Sequence, residues 1–88
     1  MVYDINSPER IENGLFEIDG ELWYSIWTFK NKYGITPNSN SANLQDAANV
    51  SRMCNDEHIT IIPDIGNFGH VKGFREQDLI HYYNIQTV

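Results

Sequence analysis

Four side chains of types that ligate zinc occur in the second half of the sequence: Cys54, His58, His70 and His81. Zinc sites draw on cysteine and histidine at short, regular spacings. Cys54 and His58 stand four apart with Asp56 and Glu57 between them, but no C-x-x-C or H-x-x-x-H pair occurs. Cys54 also falls on the apolar side of an expected helix, where a buried thiol is the common case. The spacing therefore predicts no metal site and no cofactor. The twelve carboxylates could in principle furnish an acid–base pair. Such a pair needs a cleft to hold its substrate, and 88 residues leave little room for one beside a core. No nucleophile elbow, phosphate-binding loop or dinucleotide fingerprint is present. No catalytic residue is expected, and the sequence reads as a binding protein, not an enzyme.

Charge is the more informative chemistry. The net charge is −6. Asp4, Glu9, Glu12, Glu17, Asp19 and Glu21 face only Arg10 in the first 24 residues, while the remainder is nearly balanced. Nucleic-acid backbones attract Lys and Arg, so this balance disfavours non-specific binding to them. A basic protein partner would be steered toward the acidic end. The bland alternative is that the charge only keeps a small domain soluble.

The elements that must position these groups are readable from local signals. Residues 1–12 are polar and expected to be only partly ordered, and residues 13–88 form one α+β domain. Leu15–Ile18 and Leu22–Tyr24 read as strands joined at Asp19-Gly20, a strong hairpin signal. Pairing Ile18 with Leu22 would gather Phe16, Ile18, Leu22 and Tyr24 on one apolar face, and that register is expected. Ser25 caps a helix running to Tyr33 with Ile26, Phe29 and Tyr33 as its buried stripe. Lys30 and Lys32 complement its C-terminal dipole, and Gly34 ends it. Ser39 or Ser41 caps a second helix running to about Cys54, its inner face formed by Leu44, Ala47, Ser51 and Cys54 beside Ala48 and Val50. Ile59–Ile62 and His70–Phe74 form a second strand pair, followed by a helix from Glu76 to Tyr83. The fold class is thus a small α+β domain with two antiparallel hairpins and three helices, winged-helix-like. No apolar run approaches the length of a membrane span, and the N-terminus lacks the pattern of a signal peptide. With a single cysteine, a reduced, cytoplasmic setting is expected.

Two segments resemble known families. Gly66-Asn67-Phe68-Gly69 looks like the GXXG clamp of an RNA-binding KH domain, but helices flank that clamp whereas the flanks here read as strands, so a flexible hairpin tip is the expected reading. Over residues 15–84, the order of elements resembles the Bro-N-like N-terminal domain of phage antirepressors. Asp19-Gly20-Glu21-Leu22-Trp23-Tyr24 is similar to that family's opening. A helix ending at Tyr33-Gly34-Ile35 follows, and Arg52-Met53-Cys54-Asn55-Asp56-Glu57 falls at the family's charged segment after the second helix. The resemblance implies a phage or mobile-element origin and a DNA-binding role.

Two functional expectations follow. The first is a small acidic, phage-encoded binding protein that inhibits or modulates a host protein in the host cytoplasm, as an anti-defence or host-takeover factor. Its carboxylates could imitate phosphates toward a nucleic-acid-binding partner. Its contact residues would be Glu12, Glu17, Asp19, Glu21 and Phe68, an aromatic at a loop tip that either anchors a partner or folds back into the core. The second is a winged-helix-like DNA-binding regulator. The second helix would offer Asn43, Gln45, Asn49 and Arg52 to base edges, and His70, Lys72 and Arg75 would lie near phosphates. A homodimer is left open in both.

Overall fold

Asp19 and Gly20 both take left-handed backbone conformations, with φ of 52° and 82°. Two such residues make a two-residue turn whose twist matches that of the strands it joins. Strand β3 (Leu15–Ile18) therefore pairs with β4 (Glu21–Ser25) so that Ile18 stands opposite Glu21, Phe16 opposite Trp23 and Leu15 opposite Tyr24. This corrects the expected pairing of Ile18 with Leu22. Alternation misleads here because the hairpin is apolar on both sides, so neither face is reserved for solvent. Leu15, Leu22 and Tyr24 share one face, and Phe16, Ile18 and Trp23 the other.

The computed structural model describes residues 2–62 and 70–85. Four further strands join the hairpin: β1 (Val2–Asp4), β2 (Arg10–Glu12), β5 (Ile59–Ile62) and β6 (Val71–Arg75). Helices α1 (Ile26–Tyr33), α2 (Asn40–Met53) and α3 (Glu76–Tyr83) complete a small α+β domain. The expected hairpins are not separate units. All the strands form one six-stranded sheet in the order β1-β5-β6-β4-β3-β2, with only β1 and β5 parallel. The N-terminal segment, expected to be only partly ordered, supplies both edge strands, Val2–Asp4 and Arg10–Glu12.

The sheet is curled. The rings of Tyr3 in β1 and Phe16 in β3 lie 5.8 Å apart. Their strands are four places apart in the sheet, which would separate them by about 19 Å if it were flat. Inside the curl Phe16, Trp23, Ile59 and Ile61 form a hydrophobic cluster, with Tyr3 and Ile18 packed against it. Gly73 makes room for it. A Cβ there would stand 2.8 Å from Ile61 Cδ1 and 2.9 Å from Ile59 Cγ1.

The three helices cover the outer face. Leu15, Tyr24, Ile26, Phe29, Val50, Phe74 and Leu79 form the core beneath them. Phe29 sits at its centre, with Tyr24 edge-on at 5.5 Å, Tyr33 at 4.5 Å and Tyr83 stacked at 5.7 Å. Ser25 caps α1 by accepting from the Thr28 N–H, Gly34 ends it with φ of 66°, and Ser39 caps α2. The inner face of α2 is Ala47, Val50, Ser51 and Cys54. Leu44, expected on that face, is 73 % exposed because it precedes the stretch that reaches the core. Lys30, expected in the last turn of α1 as a complement to the helix dipole, is there and is buried. Residues 63–69, which include Phe68 and the whole Gly66–Gly69 segment, lie outside the described residues.

Candidate protein-binding face

The β2–β3 ladder determines where the acidic residues point. Arg10 pairs with Phe16, but Glu12 pairs with Leu15, so the ladder slips by one residue at Ile11. An extra residue re-aims the side chains beyond it. Arg10 thus shares the inner-face side of Phe16, and Glu12 is turned to the outer face with Leu15. The Glu17 N–H donates to the Glu9 carbonyl at 2.8 Å, which places Glu9 opposite Glu17. Glu17, two residues from Leu15, is on the outer face as well. Glu9, Glu12 and Glu17 therefore form one outer-face row along the sheet edge, and Asp19 stands at its end in the turn. None of the four has a hydrogen-bonded or ion-paired side chain among the described residues.

Glu21 behaves differently. The hairpin register puts it on the opposite face from Glu17, where its Oε2 accepts from Arg75 Nε at 2.9 Å. Arg75 also pairs with Glu57, and its guanidinium carbon lies 4.4 Å from the centre of the Trp23 ring. Of the expected contact residues, the structure brings together Glu12, Glu17 and Asp19, and separates Glu21 from them.

The other cations are also engaged. Buried Lys30 is 2.9 Å from Asp46 Oδ2 and donates to the Pro37 carbonyl at 2.6 Å. Asp46 in turn accepts from the Tyr83 hydroxyl at 2.8 Å. Burial, and then the Asp46 carboxylate, push the Tyr83 phenol well above its ordinary range. Lys32 donates to the Tyr24 hydroxyl at 2.6 Å and to Glu76 at 3.1 Å, partners that hold its ammonium above lysine's ordinary range. Among the residues considered for reading DNA, Arg52 bonds Asn49, Asn49 donates to the Tyr82 hydroxyl at 3.0 Å, and Gln45 donates to Asn49 at 3.3 Å. Asn43 donates to Asn38 at 2.8 Å, and Lys72 donates to Ser51 at 3.2 Å. His70 is exposed. Among the described residues, no three or more His, Cys, Asp or Glu side chains gather as a metal site. Burial also pushes the Cys54 thiol up, and Asp78 adds to this, so the thiol form is favoured.

Beside the acidic row lies an open groove of about 460 Å³, lined by Glu12, Asn13, Trp27, Thr28, Asn31 and Lys32. It exists because the β2–β3 turn is docked onto the start of α1. Ser25 N–H donates to the Gly14 carbonyl at 2.8 Å, and the Thr28 hydroxyl donates to the Asn13 carbonyl at 2.8 Å. Gly14 is required at this contact. Its φ is 81°, and a Cβ there would stand 2.1 Å from Thr28 Oγ1. Trp27 is half-buried at the groove wall. Glu9, Asn13 and Asn31 are absent from the site expected from sequence. The cross-strand register was the signal that could have found Glu9, and the i, i+4 spacing of Trp27 and Asn31 places that pair on one helical face. The buried Lys30–Asp46 pair left no local signal, because its partners belong to different helices. No helix among the described residues is long and apolar enough to cross a membrane. The sequence matches no protein-family model, and comparison with curated proteins and with solved structures returns no relative.

Proposed function

We propose that the chain is a small acidic protein-binding module whose contact surface is the outer-face row of Glu9, Glu12 and Glu17, extended by Asp19. One observation carries this reading. Five of the six Lys and Arg side chains are tied down within the fold, while these four carboxylates have no side-chain partner among the described residues. The remaining cation, Arg10, belongs to the other face of its strand. A surface with free negative charge and little free positive charge selects a basic partner. Nucleic-acid-binding proteins of a host cell are the class that best fits, and an inhibitor that imitates phosphates is the sharper form of the proposal. A phage-encoded factor acting in the host cytoplasm is the setting it suits, in keeping with the resemblance to antirepressor domains.

The DNA-binding alternative would have to release Arg52, Lys72 and Arg75 from their intramolecular partners. Each release has to be offset by a phosphate contact, which lowers net affinity. Capture of the partner from host lysate tests the proposal. A protein retained at about 50 mM salt and released at about 500 mM is expected, because exposed ion pairs are screened over that range. Retention of DNA with no basic protein would overturn it.

A further inference from the structure

We infer that the groove between the β2–β3 turn and α1 receives an arginine side chain of the basic partner, with its guanidinium against Trp27 and its charge on Glu12. This rests on the acidic-face reading and adds to it an anchor of defined chemistry. The groove is continuous with the row, because Glu12 belongs to both. It brings together an aromatic side chain, an unpaired carboxylate and the side-chain amide of Asn13, which has no partner among the described residues.

The protein already holds one arginine by the same chemistry. Arg75 lies over Trp23 at 4.4 Å while Glu21 and Glu57 take its N–H groups. Trp27 and Glu12 offer the same two kinds of group with no guanidinium of this chain between them. Among the described residues Lys32 is the one cation lining the groove, and its ammonium is directed to Tyr24 and Glu76. Arginine suits the groove better than lysine. Its planar, weakly hydrated guanidinium can stack on an indole and bond a carboxylate at the same time.

The test uses the whole isotope-labelled protein and two blocked peptides, Gly-Arg-Gly-Arg-Gly and its lysine counterpart, followed by two-dimensional NMR. The arginine peptide should shift the Trp27 indole N–H saturably and bind about threefold tighter than the lysine peptide. Trp27→Leu should weaken it about three- to fivefold. Glu12→Gln, at an exposed position that leaves the fold intact, should weaken it by a similar factor. Shifts at the Glu9 and Glu17 amides with an unmoved Trp27 indole would overturn the anchor and leave the acidic face standing. Equal affinity for the two peptides, unaffected by either substitution, would also overturn the anchor. No shift at either place would remove both.

Discussion

On the helical side, Lys30 and Lys32 each sit against a carboxylate, Lys30 while 2 % exposed, and on the opposite face Arg75 does the same. Along the β2–β3 edge, Glu9, Glu12, Glu17 and Asp19 have no such partner among the described residues. The two regions are built from the same residue types, so the difference lies in position. The Lys30–Asp46 pair between α1 and α2 is buried beside the aromatic core around Phe29 and must be compensated where it stands. Charges on the sheet edge remain in water, where leaving them unpaired costs little. Paired charge here holds the fold together, and unpaired charge is available to a partner.

Removing one member of the buried pair should break the helical side. Asp46→Ala leaves Lys30 buried without a counter-charge, which costs roughly 3–5 kcal/mol. That is a large part of the roughly 5–15 kcal/mol by which small domains are stable. Urea unfolding should show it, and a loss under 1 kcal/mol would mean that Lys30 escapes to solvent. A smaller loss is expected at the inner face. Gly73→Ala forces a methyl against Ile59 and Ile61, and overpacking of this kind costs about 1–3 kcal/mol. An unchanged unfolding midpoint would show that the curl is loosely packed.

The polar network between the helices also sets a pH limit. The folded-state pKa of Tyr83 is raised above its ordinary 10, as is that of Tyr24, and Lys32 is raised above 10.5. In each case the folded protein keeps a proton that the unfolded chain gives up. Stability owed to these groups is therefore fully present below about pH 10 and falls as the pH rises further. Tyr83→Phe should flatten that alkaline decline, as measured by the unfolding midpoint between pH 9 and 11; an identical decline would remove Tyr83 as a cause.

The smallest effects discriminate best between the two kinds of charge. Glu21→Gln removes a partner of Arg75 and should cost up to about 1 kcal/mol. Glu17→Gln removes a like charge facing Glu9 and should stabilise by about 0.2–1 kcal/mol. Opposite signs in parallel unfolding experiments support the division, and a matching loss in both variants would erase it.

The legible part of the fold is the part encoded by neighbouring residues. Asp19-Gly20, the Ser25 and Ser39 caps and Gly34 each act within a few positions, and the elements they delimit are where the sequence places them. The register of the first hairpin was not legible, because Phe16 and Trp23 are as apolar as Leu15 and Tyr24 and alternation has nothing to sort. The edge strands were hidden by their length of three residues each and by a parallel pairing of Val2 with Thr60 across most of the chain. Lys30 reads as a helix-end cation until Asp46 and Tyr83 are brought to it by tertiary packing. The proposed acidic face was legible in composition but not in membership. Register assigns Glu21 to Arg75 and adds Glu9 to the row, and Phe68 lies outside the described residues.

The most direct measurement is the affinity of the captured partner for a Glu9→Gln, Glu12→Gln, Glu17→Gln triple variant, with its unfolding midpoint recorded on the same preparation. Loss of binding at least tenfold, with a midpoint equal to or above that of the parent protein, is the predicted result. Retained affinity together with a lowered midpoint would show that these carboxylates serve the fold and not a partner.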